Sequence, residues 1–63
     1  MSDNLDSDLR RAKNHLESAA EYAERAKRRA NSEDTDGASS NIRRAADEID
    51  NAITIINRVR RQL

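Results

Sequence analysis

Three glutamates and one histidine are the side chains of this chain that could bind a metal ion or transfer a proton. Glu17, Glu21 and Glu24 recur at helical spacing, and His15 precedes them. Helical bundles that hold two iron ions use inward-facing Glu-x-x-His motifs, and this sequence contains none. The three glutamates also fall on the outer face of the predicted helix. The sequence therefore predicts no metal site, no cofactor and no enzyme.

His15 is the only histidine, and imidazole is the side chain that most readily changes charge near neutral pH. It flanks the predicted contact between two helices and lies close to Ile55 across that contact. Two interpretations are open. His15 is either a proton-sensitive residue at an interface or an ordinary half-exposed residue of a helix, and the second is favoured.

Arginine provides ten of the twelve basic residues, and its planar guanidinium binds carboxylates and phosphates in bidentate geometry. The basic residues form two bands at the two ends of the chain's predicted fold, with acidic residues between them. The arginines that could contact RNA or DNA are Arg28, Arg29, Arg43 and Arg44. A net charge of zero and a single aromatic residue argue against this function, because single-stranded nucleic acid is usually held by basic grooves with aromatic stacking platforms.

One amphipathic helix, which occurs twice, must position these side chains. Residues 2–30 align with residues 35–63 at a constant offset of 33 without a gap, so that Leu9-Arg10-Arg11-Ala12 matches Ile42-Arg43-Arg44-Ala45. Apolar residues recur at alternating spacings of four and three, and no proline interrupts either copy. This pattern is typical of long amphipathic helices that pack on one another.

We predict a single domain over residues 1–63, with helix 1 over about 3–31, a connector over 32–35 and helix 2 over about 36–62. Asn31 is a suitable stop for helix 1, since asparagine tolerates the left-handed conformation, and Thr35 is a suitable N-cap for helix 2. A short connector between long helices favours an antiparallel hairpin. The predicted fold class is therefore all-α, a two-helix hairpin built from two copies of one heptad helix.

The contact between the helices is predicted to follow the whole heptad pattern. Leu9 is expected to pack against Val59, and Leu16 against Ala52. Most such layers set a large side chain against a small one, which lets two helices interdigitate.

An isolated hairpin covers only one flank of each apolar stripe, and its core is small for a stable fold. We therefore expect a homo-oligomer, with a dimer forming a four-helix bundle favoured over a higher oligomer. The residues predicted to form the interface are Leu16, Ala20, Tyr22, Ile49, Ile53, Ile55 and Ile56.

The sequence has no cysteine, and its longest apolar run is far shorter than the roughly 20 residues of a membrane-spanning helix. We expect a cytoplasmic protein without a membrane partner. The favoured function is a small helical interaction protein that self-associates and presents a binding surface, as an adaptor, an inhibitor or an assembly element, with a larger protein partner left open. Two alternatives stay open: a compact RNA- or DNA-binding bundle, and a small viral or mobile-element protein that blocks a larger host protein.

Overall fold

The computed structural model of the chain describes the backbone of residues 2–63 and the side chains of residues 4–63. Helix α1 spans Ser2–Asn31 and helix α2 spans Thr35–Gln62. The two helices pack side by side and antiparallel in a hairpin about 48 Å long. The predicted all-α hairpin is confirmed, and each helix end lies within one residue of its expected position.

The connector ends α1 with two backbone hydrogen bonds that are typical of a left-handed C-terminal stop. The amide of Asp34 donates to the carbonyl of Arg29 at 2.8 Å, and the amide of Glu33 donates to the carbonyl of Ala30 at 3.0 Å. Glu33 has a φ of 63°, the left-handed conformation that this motif requires. The expectation that Asn31 would adopt it is wrong, because α1 includes Asn31.

Asp34, rather than the predicted Thr35, caps α2. Its carboxylate accepts a hydrogen bond from the amide of Gly37 at 2.9 Å, which satisfies a free donor of the first turn. The same carboxylate binds the Arg29 guanidinium at 3.1 Å. Because a Cβ at Gly37 would collide with both side chains, a glycine in this turn lets Arg29 and Asp34 close over the start of α2.

Small residues fill the contact between the helices. Buried alanines recur every seven residues: Ala12, Ala19 and Ala26 on α1, and Ala38, Ala45 and Ala52 on α2. Side chains of this size let two helices approach closely. At the open end of the hairpin, opposite the connector, Ile55 and Val59 pack with Ala12, and Leu5 covers this cluster.

The predicted layers that place Leu9 and Leu16 in this contact are wrong. Leu9 is 49% exposed and Leu16 is 45% exposed. Each helix has an alanine row and a row of larger aliphatic residues, and of these two rows the alanine row is the one that faces the other helix. The second row of the contact lies three residues after each alanine, where α1 has His15 and Tyr22 and α2 has Asn41.

Candidate functional site

The large aliphatic residues that the hairpin leaves exposed form one apolar face. In the part of the chain whose side chains are described, seven are exposed: Leu9, Leu16, Ile42, Ile49, Ile53, Ile56 and Leu63. Leu9 and Leu16 stand seven residues apart on α1, as Ile42, Ile49 and Ile56 do on α2, so each set keeps to one side of its helix. Leu63 follows at the same spacing, directly after the end of α2. Ala23 and Ala30 continue the α1 row toward the connector. We call this surface, with these nine residues, the apolar face.

A groove crosses the apolar face in its connector half. It has a volume of about 430 Å³ and runs between the two helices. Its walls and floor are Ala23, Ala26, Ala30, Ala38, Ile42, Ala45, Ala46 and Ile49, with Lys27 at the rim. The groove exists because α1 carries alanine where the open half of the same face carries Leu9 and Leu16.

The structure divides the seven residues that were predicted to form an interface. Leu16, Ile49, Ile53 and Ile56 lie on the apolar face, and Ala20 borders it, because it stands one helical turn from Leu16. Ile55 is only 4% exposed, since it packs inside the hairpin with Ala12 and Val59.

Tyr22, the last of the seven, belongs to the opposite side of the hairpin. The Arg25 guanidinium lies over its ring, 5.4 Å from the centroid, a distance within the range of a cation–π contact. Tyr22 is therefore held on the polar side of the hairpin and takes no part in the apolar face.

Polar side chains join the helices on the side opposite the apolar face. His15 Nδ1 lies 2.8 Å from Glu48 Oε1, and both side chains are partly buried. That separation is a hydrogen-bond distance between the ring nitrogen and the carboxylate. Nearer the open end, Asp8 accepts from Arg11 at 3.1 Å and from Arg58 of the other helix at 3.5 Å.

A polar cleft of about 310 Å³ opens on this side near the connector. Three arginines, Arg25, Arg29 and Arg44, line it together with Tyr22, Gly37, Ser40 and Asn41. We call it the arginine cleft. Of the four arginines predicted to contact nucleic acid, Arg29 and Arg44 line the cleft, whereas Arg28 and Arg43 do not.

Asn41 is the one buried polar residue in the described part of the chain, with 9% of its surface exposed. Its Oδ1 atom has no hydrogen-bond partner there. Sequence reasoning did not single it out, although its position three residues after Ala38 and four before Ala45 placed it in the contact between the helices. Arg25 was also not among the predicted contacts, and its i+3 spacing from Tyr22 was the available signal.

Within residues 4–63, no group of three or more histidine, aspartate and glutamate side chains is arranged to hold a metal ion. Neither described helix combines the length and the apolar character needed to cross a membrane. The chain matches no protein-family model, no curated protein and no solved structure.

Proposed function

We propose that this chain is a self-associating helical hairpin whose two copies pair through their apolar faces into a four-helix bundle, leaving the polar sides free for a further protein partner. The observation that carries this proposal is the exposure of seven large aliphatic side chains on one face. Monomeric soluble proteins rarely expose a continuous apolar patch of this extent.

The energetics of the hairpin support the same proposal. Among the large aliphatic residues of positions 4–63, only Ile55 and Val59 are buried, and most of the remaining core is alanine. Covering a side chain that is about half exposed, such as Leu16, contributes roughly 1 kcal/mol. Binding of a second copy would cover the apolar face of both copies at once, because a two-fold interface uses the same surface on both subunits.

Sedimentation equilibrium at micromolar concentration tests the proposal. We expect the unaltered chain to sediment as a dimer, and Leu16→Glu to weaken the dimer at least about tenfold, since 1.4 kcal/mol is a factor of ten. Asn14→Glu introduces the same charge two residues earlier at an exposed position off the apolar face and should leave the dimer intact. A monomer for the unaltered, helical chain at high micromolar concentration would overturn the proposal.

Binding of nucleic acid through the arginine cleft is a second candidate, and the convergence of Arg25, Arg29 and Arg44 favours it. Phosphate contacts of this kind give an affinity that falls steeply with salt. Fluorescence anisotropy with a labelled RNA or DNA oligonucleotide should then show weaker binding for Arg44→Gln, and no change for Arg61→Gln at the far end of α2. Absence of binding at low salt would end this candidate.

A further inference from the structure

The apolar face differs in shape between its two ends. Toward the connector it is a groove floored by alanines, with Ala23 and Ala30 on the α1 side and Ala46 on the α2 side. Toward the open end it is a ridge of exposed Leu9, Ile53, Ile56 and Leu63. Leu16 and Ile49 lie between these halves. One hairpin therefore carries both a groove and side chains of a kind that could fill it.

We infer that the second copy packs its apolar face on that of the first in the antiparallel orientation, with its connector at the opposite end of the bundle. The ridge of each copy then occupies the groove of the other, and we call this arrangement end-to-end docking. This inference rests on the proposed self-association and adds its geometry. The two-fold axis then passes near Leu16, at right angles to the helices. Leu9 lies opposite the partner's Ala23, and Ile53 lies opposite the partner's Ile42.

Packing density distinguishes this arrangement from docking with both connectors at one end. Same-end docking would face groove with groove and ridge with ridge, which leaves a hollow bundle near the connectors and a crowded one at the open end. Both defects are costly, since cavities and overpacking each destabilise a core by a few kcal/mol. End-to-end docking sets the ridge of one copy against the groove of the other at both ends of the bundle, which keeps the packed volume more even along its length.

Charge on the rim of the face supports the same direction. Lys27 lines the groove, and Arg28 and Arg43 are exposed at the same end of the hairpin. Both ends of the hairpin are rich in basic residues, so only the charges beside the apolar face bear on the direction, and end-to-end docking sets Lys27 level with the partner's Asp6. Opposite charges at matching levels favour one orientation of docking over the other.

A distance between the two connectors measures the direction directly. The chain has no native cysteine, so Ser32→Cys places one spin label per copy in the connector, at an exposed position outside the apolar face. Gln62→Cys, exposed at the open end, supplies a second labelling site. Double electron–electron resonance on each labelled dimer then reports the distance between equivalent ends.

End-to-end docking predicts about 45–50 Å between the two Ser32→Cys labels, from sixteen residues on either side of the axis at 1.5 Å per residue. It also predicts a long distance for Gln62→Cys, and a short distance when the two labelled variants are mixed. Distances of about 25 Å or less within both single variants would establish same-end docking and overturn the inference while leaving the proposed dimer standing. Sedimentation of the labelled chain as a monomer would instead overturn the proposed function, and the inference with it.

Discussion

His15 Nδ1 and Glu48 Oε1 lie 2.8 Å apart, and the two residues are separated by 33 positions in the chain. That separation equals the offset between the two copies of the repeat, so His15 and Glu48 occupy the same position in each copy. Two equivalent residues of an antiparallel pair can meet only where the pseudo-two-fold axis crosses it. The contact therefore marks the centre of the hairpin, and it joins the helices on the side away from the apolar face.

The first prediction concerns the strength of this contact. In a double-mutant cycle with His15→Ala and Glu48→Ala, we expect a coupling free energy of about 1 kcal/mol, because both groups are partly buried. The exposed pair Asp6–Arg10, with an N···O distance of 2.8 Å, is the control and should couple by about 0.3–0.5 kcal/mol. Denaturant unfolding at one fixed protein concentration measures both, and equal coupling for the two pairs would contradict the prediction.

Neighbouring isoleucines on α2 provide the second prediction, because Ile55 belongs to the hairpin core and Ile56 to the apolar face. Ile55→Ala should lower the free energy of unfolding by about 2–4 kcal/mol at every concentration. Ile56→Ala should chiefly weaken association, so that its midpoint of thermal unfolding depends more strongly on protein concentration.

Circular dichroism melts over about a hundredfold range of concentration separate these two effects. The same concentration dependence for Ile55→Ala and Ile56→Ala would mean that the two positions do not serve different contacts.

The sequence was sufficient to predict the two helices, because their apolar periodicity is unbroken. It was insufficient to predict which row of residues on each helix packs against the other helix. Leu16 and Ala19 both stand in rows with a spacing of seven, and either row could form the contact of a hairpin. The prediction placed both rows in the contact, because together they form one heptad pattern. In the structure the row containing Ala19 forms that contact, and Leu16 is left on the outside.

The connector shows a second limit of sequence reasoning. Asn31 was the residue with the better intrinsic tolerance for the left-handed conformation, yet Glu33 adopts it. The position of the turn is set by where α2 must begin to pack against α1, and the residue at that position takes the strain. The same holds for Asn41, whose burial follows from the close approach of the alanine rows.

The left-handed residue of the connector provides the third prediction. Glycine adopts a positive φ without the steric cost of a Cβ, so Glu33→Gly should raise the free energy of unfolding by about 1 kcal/mol. Glu33→Ala keeps the Cβ and should give no such gain, which separates the backbone effect from the loss of the exposed carboxylate. A comparable gain for Glu33→Ala in denaturant unfolding would count against the backbone explanation.

Asn41 provides the fourth prediction. Its Oδ1 atom is buried without a partner, and leaving such a group unsatisfied costs about 1–3 kcal/mol. Asn41→Leu replaces it with an apolar side chain of similar size and a better helix former, so the free energy of unfolding should rise by about 1–2 kcal/mol. Asn14→Leu, at an exposed position, controls for helix propensity alone. If Asn41→Leu proved less stable than the unaltered chain, Asn41 would be making a contact that favours the amide.

The last prediction uses the groove itself. Ala23 and Leu9 are both exposed in the hairpin, and alanine and leucine are both good helix formers, so exchanging them should disturb the hairpin little. With end-to-end docking, Ala23→Leu alone would fill the space that the partner's Leu9 occupies. An overpacking cost of about 1–3 kcal/mol would weaken the dimer about 5- to 150-fold.

Adding Leu9→Ala in the same chain would return one large and one small residue to each layer and restore most of the affinity. Same-end docking predicts the reverse for the single substitution, since Ala23→Leu would then fill a hollow near the connectors and strengthen the dimer. Sedimentation equilibrium on the single and double variants therefore separates the two directions by the sign of the first effect, without any label.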